Sequence, residues 1–565
     1  MKEEIRVRMN DRQVWLFEET MHRLDAQYDD ACGLLTRKLG TRIMHDIRGS
    51  SHYALGLFVR DEAGDRDKAC QVLSHVLDAQ FLSDPSMAYY GGFPFDDRQK
   101  EPPQEPFPGK HFDAESRYYL EKWQEQIRGH LLKKLEAHGY DQAARYEIED
   151  LFRQSLLETV PVVWGNFDAN WPDFIATELA MIVSVGADLG PELTARVEVA
   201  GRAAVENSIR RWQQHFIPMN TNVELMHVFI CGFFGEWLDE PGFVAQARVA
   251  AADIRARYEE TMSFAEYNST TYNSVDLCAL AMWRLCLKDA ALVETGRFLE
   301  AHLWRNICEM YHPGLNNVSG PYSRNYDNDM AVHSMIPAFL YLAYGEEKPR
   351  PLFNVETAGY IDLALNGTLI PEDIKEAMRV FQGPRKVRKT FRELMERGRP
   401  GDDTSLCTVK AQFEENWMIG AMSGSRNTSG QLRSLVAFWK SPSGSVDSLS
   451  LLRRMPGRQP GEHLWTVYFD GTVDGDAATM RVRPAVDRDI EVYFDVIGAD
   501  LEPAMVQEGL WSFPGMTFQI ETNAGKPEIR KTSAGLEIVY FVSEGSPDLE
   551  FELRMQEEHR PKKPS

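Results

Sequence analysis

Apolar positions recur at three- and four-residue spacing through most of the chain between residue 11 and about residue 380, the period of helices that bury one face. The runs come in pairs. Residues 12–39 make a first helical segment, and 51–59 with 68–80 form a short hairpin around Gly64 and Asp65. Residues 116–138 then pair with 146–159, 171–185 with 192–216, 223–238 with 244–262, and 275–287 with 290–311; 330–344 follows, ahead of Pro349 and Pro351. The pairs recur at a spacing of roughly 50 residues, each with a polar loop leading into an apolar helix, which predicts hairpins standing side by side in an incomplete or closed (α/α) toroid. In such a ring the loops of one rim face a central cleft. Asp168, Asn222, Tyr272 and Arg324 would meet there, one from each of four successive units.

Past residues 397–403, a run of Gly, Pro and charges that reads as a linker, the period changes. Short alternating runs at 432–439, 465–469, 479–483, 490–496, 516–521, 537–542 and 549–555 are separated by turn signals such as Asp470-Gly471 and Asp474-Gly475. That is the pattern of an antiparallel β-sandwich. The expected division is a catalytic helical toroid over residues 1–395 and a β-sandwich over 396–565, since helices followed by strands imply separate layers and not an alternating α/β sheet. Residues 561–565 are expected to fray.

Two polar stretches stand out between the apolar helices. Residues 264–276 read Phe-Ala-Glu-Tyr-Asn-Ser-Thr-Thr-Tyr-Asn-Ser-Val-Asp, and 320–330 read Gly-Pro-Tyr-Ser-Arg-Asn-Tyr-Asp-Asn-Asp-Met. Loops on a rigid scaffold are where binding and catalysis concentrate. Asn and Ser clusters also make ordinary turns, so one such loop alone would mean little.

Composition narrows the partners. With a formal net charge of −23 the chain is a poor match for nucleic acid or an anionic membrane surface, and an anionic substrate would need a local cationic pocket. The 43% hydrophobic content, with 12 Trp, 20 Tyr and 29 Phe, belongs to a well-packed globular protein. The first residues carry no apolar signal-peptide core, and no run approaches the roughly 18 apolar residues of a membrane span. Seven cysteines, scattered and without a Cys-x-x-Cys pair, fit reduced thiols. A cytoplasmic protein is expected, although a chain trimmed of its signal would look the same. Nothing in the sequence speaks against a homo-oligomer.

The segment Glu266-Tyr-Asn-Ser-Thr-Thr-Tyr272, together with Asn220-Thr-Asn222-Val-Glu-Leu-Met running to Gly235-Glu236, resembles two short motifs of the heparinase II/III-like polysaccharide lyases. That family pairs a helical toroid with a C-terminal β-sandwich. The resemblance implies Tyr272 as catalytic tyrosine and Asn222 as the amide that neutralises a substrate carboxylate. The tyrosine segment has one extra residue and lacks the family's proline. No His-x-His or His-plus-Asp cluster occurs in the β region, so the family's histidine and metal features are not carried over. No cofactor and no metal site are expected.

The implied chemistry is β-elimination from a uronic-acid-containing glycan. The proton beside the uronate carboxyl is too weakly acidic to remove until that carboxylate is neutralised. A tyrosine serves as base only where a neighbouring cation lowers its pKa, which gives Arg324 its expected role. Tyr272, Asn222 and Arg324 make a self-consistent catalytic trio, with Tyr267 and Glu266 in the same catalytic group and Tyr326 in reserve for proton transfer. Asn220, Asn268, Tyr326, Asp329, Asp168, Trp171 and His227 are the expected substrate-binding residues. Plainer roles compete. Asn222 suits the N-cap of the following helix, Asp327 and Asp329 suit the cap of 330–344, Arg324 suits a pair with either aspartate, and Tyr272 suits a packed ring. His333, His312, His227, His215 and His52 are each candidate bases, and a lone His is more often structural. Trp164, Trp171 and Trp237 could stack on sugars or lie in the core. Two other functions remain open: an inverting glycoside hydrolase using Glu266 with Asp327 or Asp329, and a non-catalytic glycan-binding protein.

Overall fold

Helices that are apolar on every side belong inside a helical layer, and five such helices form the inner ring of the protein. The structure is a computed structural model and describes residues 3–39, 41–99, 101, 128–159, 168–214, 219–393, 405–427, 430–457, 467–484, 489–543 and 545–558. Helix α1 (Asp11–Asp25) precedes the pairs α2 (Ile47–Arg60) with α3 (Asp65–Asp78), α4 (Trp171–Ser184) with α5 (Gly190–Gln214), α6 (Thr221–Trp237) with α7 (Pro241–Thr261), and α8 (Thr270–Cys286) with α9 (Ala290–Met310). Helices α10 (Ile336–Tyr344) and α11 (Tyr360–Asn366) complete the layer. Residues 47 and 49–59 of α2, 221–235 of α6 and most of α4, α8 and α11 are buried, whereas α5, α7 and α9 alternate buried and exposed positions.

The ring closes. Helix α2 packs on α4, α4 on α6, α6 on α8, α8 on α11, and α11 returns to α2. Helix α1 packs outside α11, so the first helix supplies the outer partner of the last inner one. Gln13 Nε2 donates to Ala364 O at 2.8 Å across that seam, and Arg12 Nη1 donates to Leu342 O of α10 at 2.8 Å.

Three expectations differ from this arrangement. The segment at 12–39 is helical only to Asp25, because Gly33 sits at φ +71° in a turn braced by Ala31 N donating to Asp29 Oδ1. Strands Leu34–Leu39 and Arg42–His45 follow that turn. Of the expected ring hairpin at 116–138 and 146–159, residues 116–127 lie outside the described residues; residues 128–152 are exposed or half-buried, and α2 packs directly on α4. Helix α10 begins at Ile336 and not near 330. Ser334 Oγ accepts from Ile336 N there, and Pro337 follows at the helix start.

The β region is a sandwich of an eight-stranded and a six-stranded antiparallel sheet. Trp439 meets Phe513 and Phe518 across the gap, with ring centroids at 6.0 and 5.5 Å, and Phe494 meets Phe551 at 5.1 Å. All seven alternating runs of the sequence fall on or overlap strands, including Ala477–Pro484, Ile490–Ile497 and Leu549–Glu557. Arg385–Glu393 is already an edge strand of the larger sheet, before the expected division at 395/396. Its Lys- and Arg-rich sequence conceals a strand that faces solvent on one side. The expected linker at 397–403 lies outside the described residues.

The larger sheet presses against the loop at 320–330. Tyr322 exchanges backbone hydrogen bonds with Arg433, and Asn325 N donates to Gln431 O at 2.9 Å. Gly420 lies under this loop so closely that an added Cβ would stand 1.8 Å from Gly320 O. Gly420→Ala is therefore expected to destabilise the protein by about 1–3 kcal/mol, the ordinary cost of overpacking against backbone, read from the denaturant midpoint. An unchanged midpoint would mean that the loop does not rest on this strand.

Candidate functional site

Each inner helix starts at the same rim. The starts of α2, α4, α6 and α8 and the segment before α11 surround a cavity of about 370 Å³, whose lining includes Arg37, Arg48, His52, Asp168, Asn170, Trp171, Asn220, Asn222, Tyr272, Arg324, Tyr326, His333 and Glu356. Helix N-termini carry unpaired N–H groups and a positive dipole end, so their convergence favours an anion at this rim. A larger cavity, about 1010 Å³, opens at the opposite rim beside Ser184, Glu236, Trp237 and Leu365. Helix C-termini gather there, and it holds none of the expected site residues.

Tyr272 lies in the first turn of α8, after Ser269, whose Oγ accepts from Tyr272 N at 3.3 Å. Its Oη is 3.0 Å from Tyr326 Oη, and the Arg324 guanidinium sits 4.4 Å from the centre of its ring. Arg324 is fixed from two sides, donating through Nη1 to Glu266 Oε1 at 2.9 Å and through Nε to Gln431 Oε1 at 2.6 Å. The other oxygen of Glu266 accepts from Thr221 N at 2.7 Å, capping α6 from outside its own chain segment. One carboxylate thus ties the asparagine-bearing helix to the arginine above the phenol.

Burial raises the Tyr272 pKa well above its ordinary value; Arg324 works against this, and Tyr326 and Glu266 add to it. The expected net lowering by Arg324 does not occur, because removing a phenolate from water outweighs one cation already paired with Glu266. Asn222 is not the N-cap of α6. Asn220 is, and it makes no side-chain capping bond. Asn222 lies two residues on, within the first turn, buried, and its Oδ1 has no hydrogen-bond partner among the described residues.

Other expected residues fall into two groups. Asp168, Trp171, Asn220 and Tyr326 line the cavity with the trio. Glu266, Tyr267, Asn268, Asp329 and His227 are not among its lining residues. Tyr267 is sealed against Phe391, with ring centroids 5.1 Å apart and its Oη unpartnered among the described residues. Asn268 adopts φ +59° and donates to Ser319 O and Pro321 O, so it shapes the loop. Asp327 and Asp329 accept backbone N–H groups two residues on and cap no helix, and Arg324 pairs with Glu266. His227 is wholly buried, 2.8 Å from Ser208 Oγ and stacked on Trp212, and burial with the Arg211 charge pushes its pKa down to about 3. Trp237 stands at the opposite rim, and Trp164 and His215 lie outside the described residues.

Several lining residues had no signal in the sequence. Arg37 comes from the small sheet before α2, Arg48 from the first turn of α2, and Glu356 from the segment that closes the ring. Glu356 Oε1 is 3.0 Å from His333 Nε2, and His333 stacks on Tyr326 with ring centroids 4.4 Å apart. Burial alone would raise the Glu356 pKa, but His333, Arg48 and His52 together hold it below the usual value. Of this last cluster, the sequence singles out only Tyr326 and His333.

No helix among the described residues is long and apolar enough to cross a membrane. Among solved structures the chain is similar to a crystal structure of heparinase III, at 9% identity over 86% of this chain and 84% of that one, with a TM-score of 0.34. It is also similar to a heparinase III gene product, at 8% identity over 86% and 83%, with a TM-score of 0.29. Scores this low leave the fold resting on the elements themselves and carry nothing about chemistry. No curated protein matches the chain. The family model described as a domain of unknown function (DUF8769) matches residues 14–131 and 122–362. These matches take in nearly all of the helical ring and more than half of the chain, and the protein belongs to the DUF8769 family.

Proposed function

We propose that the protein cleaves a uronic-acid-containing glycan by β-elimination without a metal in the reaction. One observation carries this reading: a phenol pair, an amide and an arginine from separate elements line a single cavity at the positive ends of the inner helices. The Asn222 amide and the helix N-termini would hold the substrate carboxylate and neutralise it as the adjacent C–H bond breaks. The base takes the C5 proton, the C4–O bond breaks with its electron pair on the leaving oxygen, and that oxygen receives a proton. A C4–C5 double bond conjugated with the carboxyl group remains.

Tyr272 and Tyr326 share the proton work in this scheme. Burial keeps Tyr272 protonated at rest, which suits donation to the leaving oxygen. Removing the C5 proton needs one phenol of the pair ionised, and Tyr326, 43% exposed, gives the Tyr272 proton a path to solvent. The hydrolase reading finds less support, since Glu266 is held by Arg324 and Thr221 N while Asp327 and Asp329 are absent from the cavity lining. Incubation with a panel of uronides is expected to give the ultraviolet absorbance of an unsaturated uronate. Because the working base must ionise against burial, kcat/KM is expected to rise by up to about tenfold per pH unit between about pH 7 and 9. Reducing ends without that absorbance would favour hydrolysis, and glycan affinity with neither signal would favour a binding protein.

A further inference from the structure

Beneath the cavity floor, three of the inner helices each send a buried polar side chain to one point. His52 of α2, Glu178 of α4 and Asp362 of α11 are respectively 8%, 2% and 3% exposed. His52 Nδ1 lies 2.9 Å from Asp362 Oδ2 and 3.0 Å from Glu178 Oε2. A single ring N–H cannot serve both carboxylates well. Only the Asp362 contact has hydrogen-bond geometry; Glu178 Oε2 and Asp362 Oδ1 have no hydrogen-bond partner among the described residues. Two buried carboxylates with unpartnered oxygens on either side of one imidazole nitrogen leave acceptors in excess, which is costly away from water.

We propose that His52, Glu178 and Asp362 bind one divalent transition cation, Zn2+ or Mn2+, that clips together the first, second and last inner helices of the ring. One ligand atom from each residue lies within 4.8 Å of the others. Ligand atoms around a tetrahedral zinc stand about 3.4 Å apart, so the two contacts at 2.9 and 3.0 Å need to open by only a few tenths of an ångström. Charge agrees as well. A neutral imidazole and two carboxylates carry two negative charges, which a divalent ion balances and a proton on His52 does not. One nitrogen and two carboxylate oxygens suit Zn2+ or Mn2+ better than Ca2+, which takes six to eight oxygens. His52 also lines the cavity, which provides an entry path.

The site would be structural, and the elimination chemistry does not pass through it. The test therefore uses readouts other than activity. The full chain is stripped with a chelator, then given ZnCl2 or MnCl2, desalted, and measured for bound metal and thermal midpoint. One equivalent of metal and a rise of at least roughly 3 °C are expected, and both are expected to vanish in Glu178→Gln and Asp362→Asn. X-ray absorption of the zinc-loaded wild type is expected to show a nitrogen and oxygen shell without sulfur, a measurement that decides the matter even if a variant fails to fold. No bound equivalent, an unmoved midpoint, undiminished binding in the folded variants, or sulfur from nearby Cys278 in the shell would each overturn the proposal. Each of these results is independent of whether any uronide is cleaved.

Discussion

Tyr272→Phe is expected to lower turnover of the cleaved uronide by about 10²–10⁴-fold, the ordinary worth of a positioned acid–base group, while the thermal midpoint stays within a few degrees of wild type. The change removes one oxygen. That oxygen's bond in the structure is to Tyr326 Oη, itself on a partly exposed side chain. The ring stays in place beneath Arg324, so the cation–π contact at 4.4 Å and the Glu266 and Gln431 bonds of the guanidinium are retained. Asp329→Asn is the matched control, since among the described residues Asp329 serves a loop turn through Ala331 N and lies outside the cavity lining. Loss of activity in both variants would point to loop geometry and not to the phenol. Retention of activity in Tyr272→Phe would remove it from the proton transfer and shift attention to Tyr326 with His333 and Glu356.

Asn222→Ala is expected to cost about 10²–10³-fold in kcat, the range seen when one donor to a developing oxyanion is lost. The loss should fall mainly on kcat, because a carboxylate that becomes a dianion gains most from the amide in the transition state. Asn222 is not the N-cap of α6, and Thr221 N is satisfied by Glu266, so its removal should leave the helix start intact. A change confined to KM would mean that the amide only binds substrate. A large fall in the unfolding midpoint would instead assign Asn222 to packing, which its burial makes the natural alternative.

Much of the site was open to sequence reasoning because its loops sit at fixed places relative to strong helical signals. The runs behind α4, α6 and α8 are apolar enough to mark inner helices, and the polar residues just ahead of them must then share a rim. Asp168, Asn222, Tyr272 and Arg324 line one cavity for that reason. Exchanging the N-cap from Asn222 to Asn220 shifts a boundary by two residues without moving the asparagine off the rim. The roles of Glu266 and Arg324 were less legible. Arg324 has two aspartates within five residues, yet it pairs with Glu266, 58 positions away, and with Gln431 of the sandwich. Strands such as Trp417–Ser423, buried at nearly every position, lack the alternation that marks a half-buried strand and gave no signal.

Local pattern by itself determined most element types, the order of helices before strands, and the polar loops that open the inner helices, because helix and strand periodicity is written within ten to twenty neighbouring residues. Ring closure belongs to the tertiary structure alone. It depends on α11 meeting α1, α2 and α8, and the short, Gly- and Pro-bounded sequence around α11 gives no hint of those partners. The direction of the Tyr272 pKa was likewise decided only in three dimensions. A cation expected at the same rim predicts a lowered value, whereas the folded protein adds a desolvation cost that exceeds it and pairs that cation with a carboxylate. The meeting of His52, Glu178 and Asp362 from three helices has the same origin: proximity across 310 residues of chain follows from packing, which no local pattern encodes.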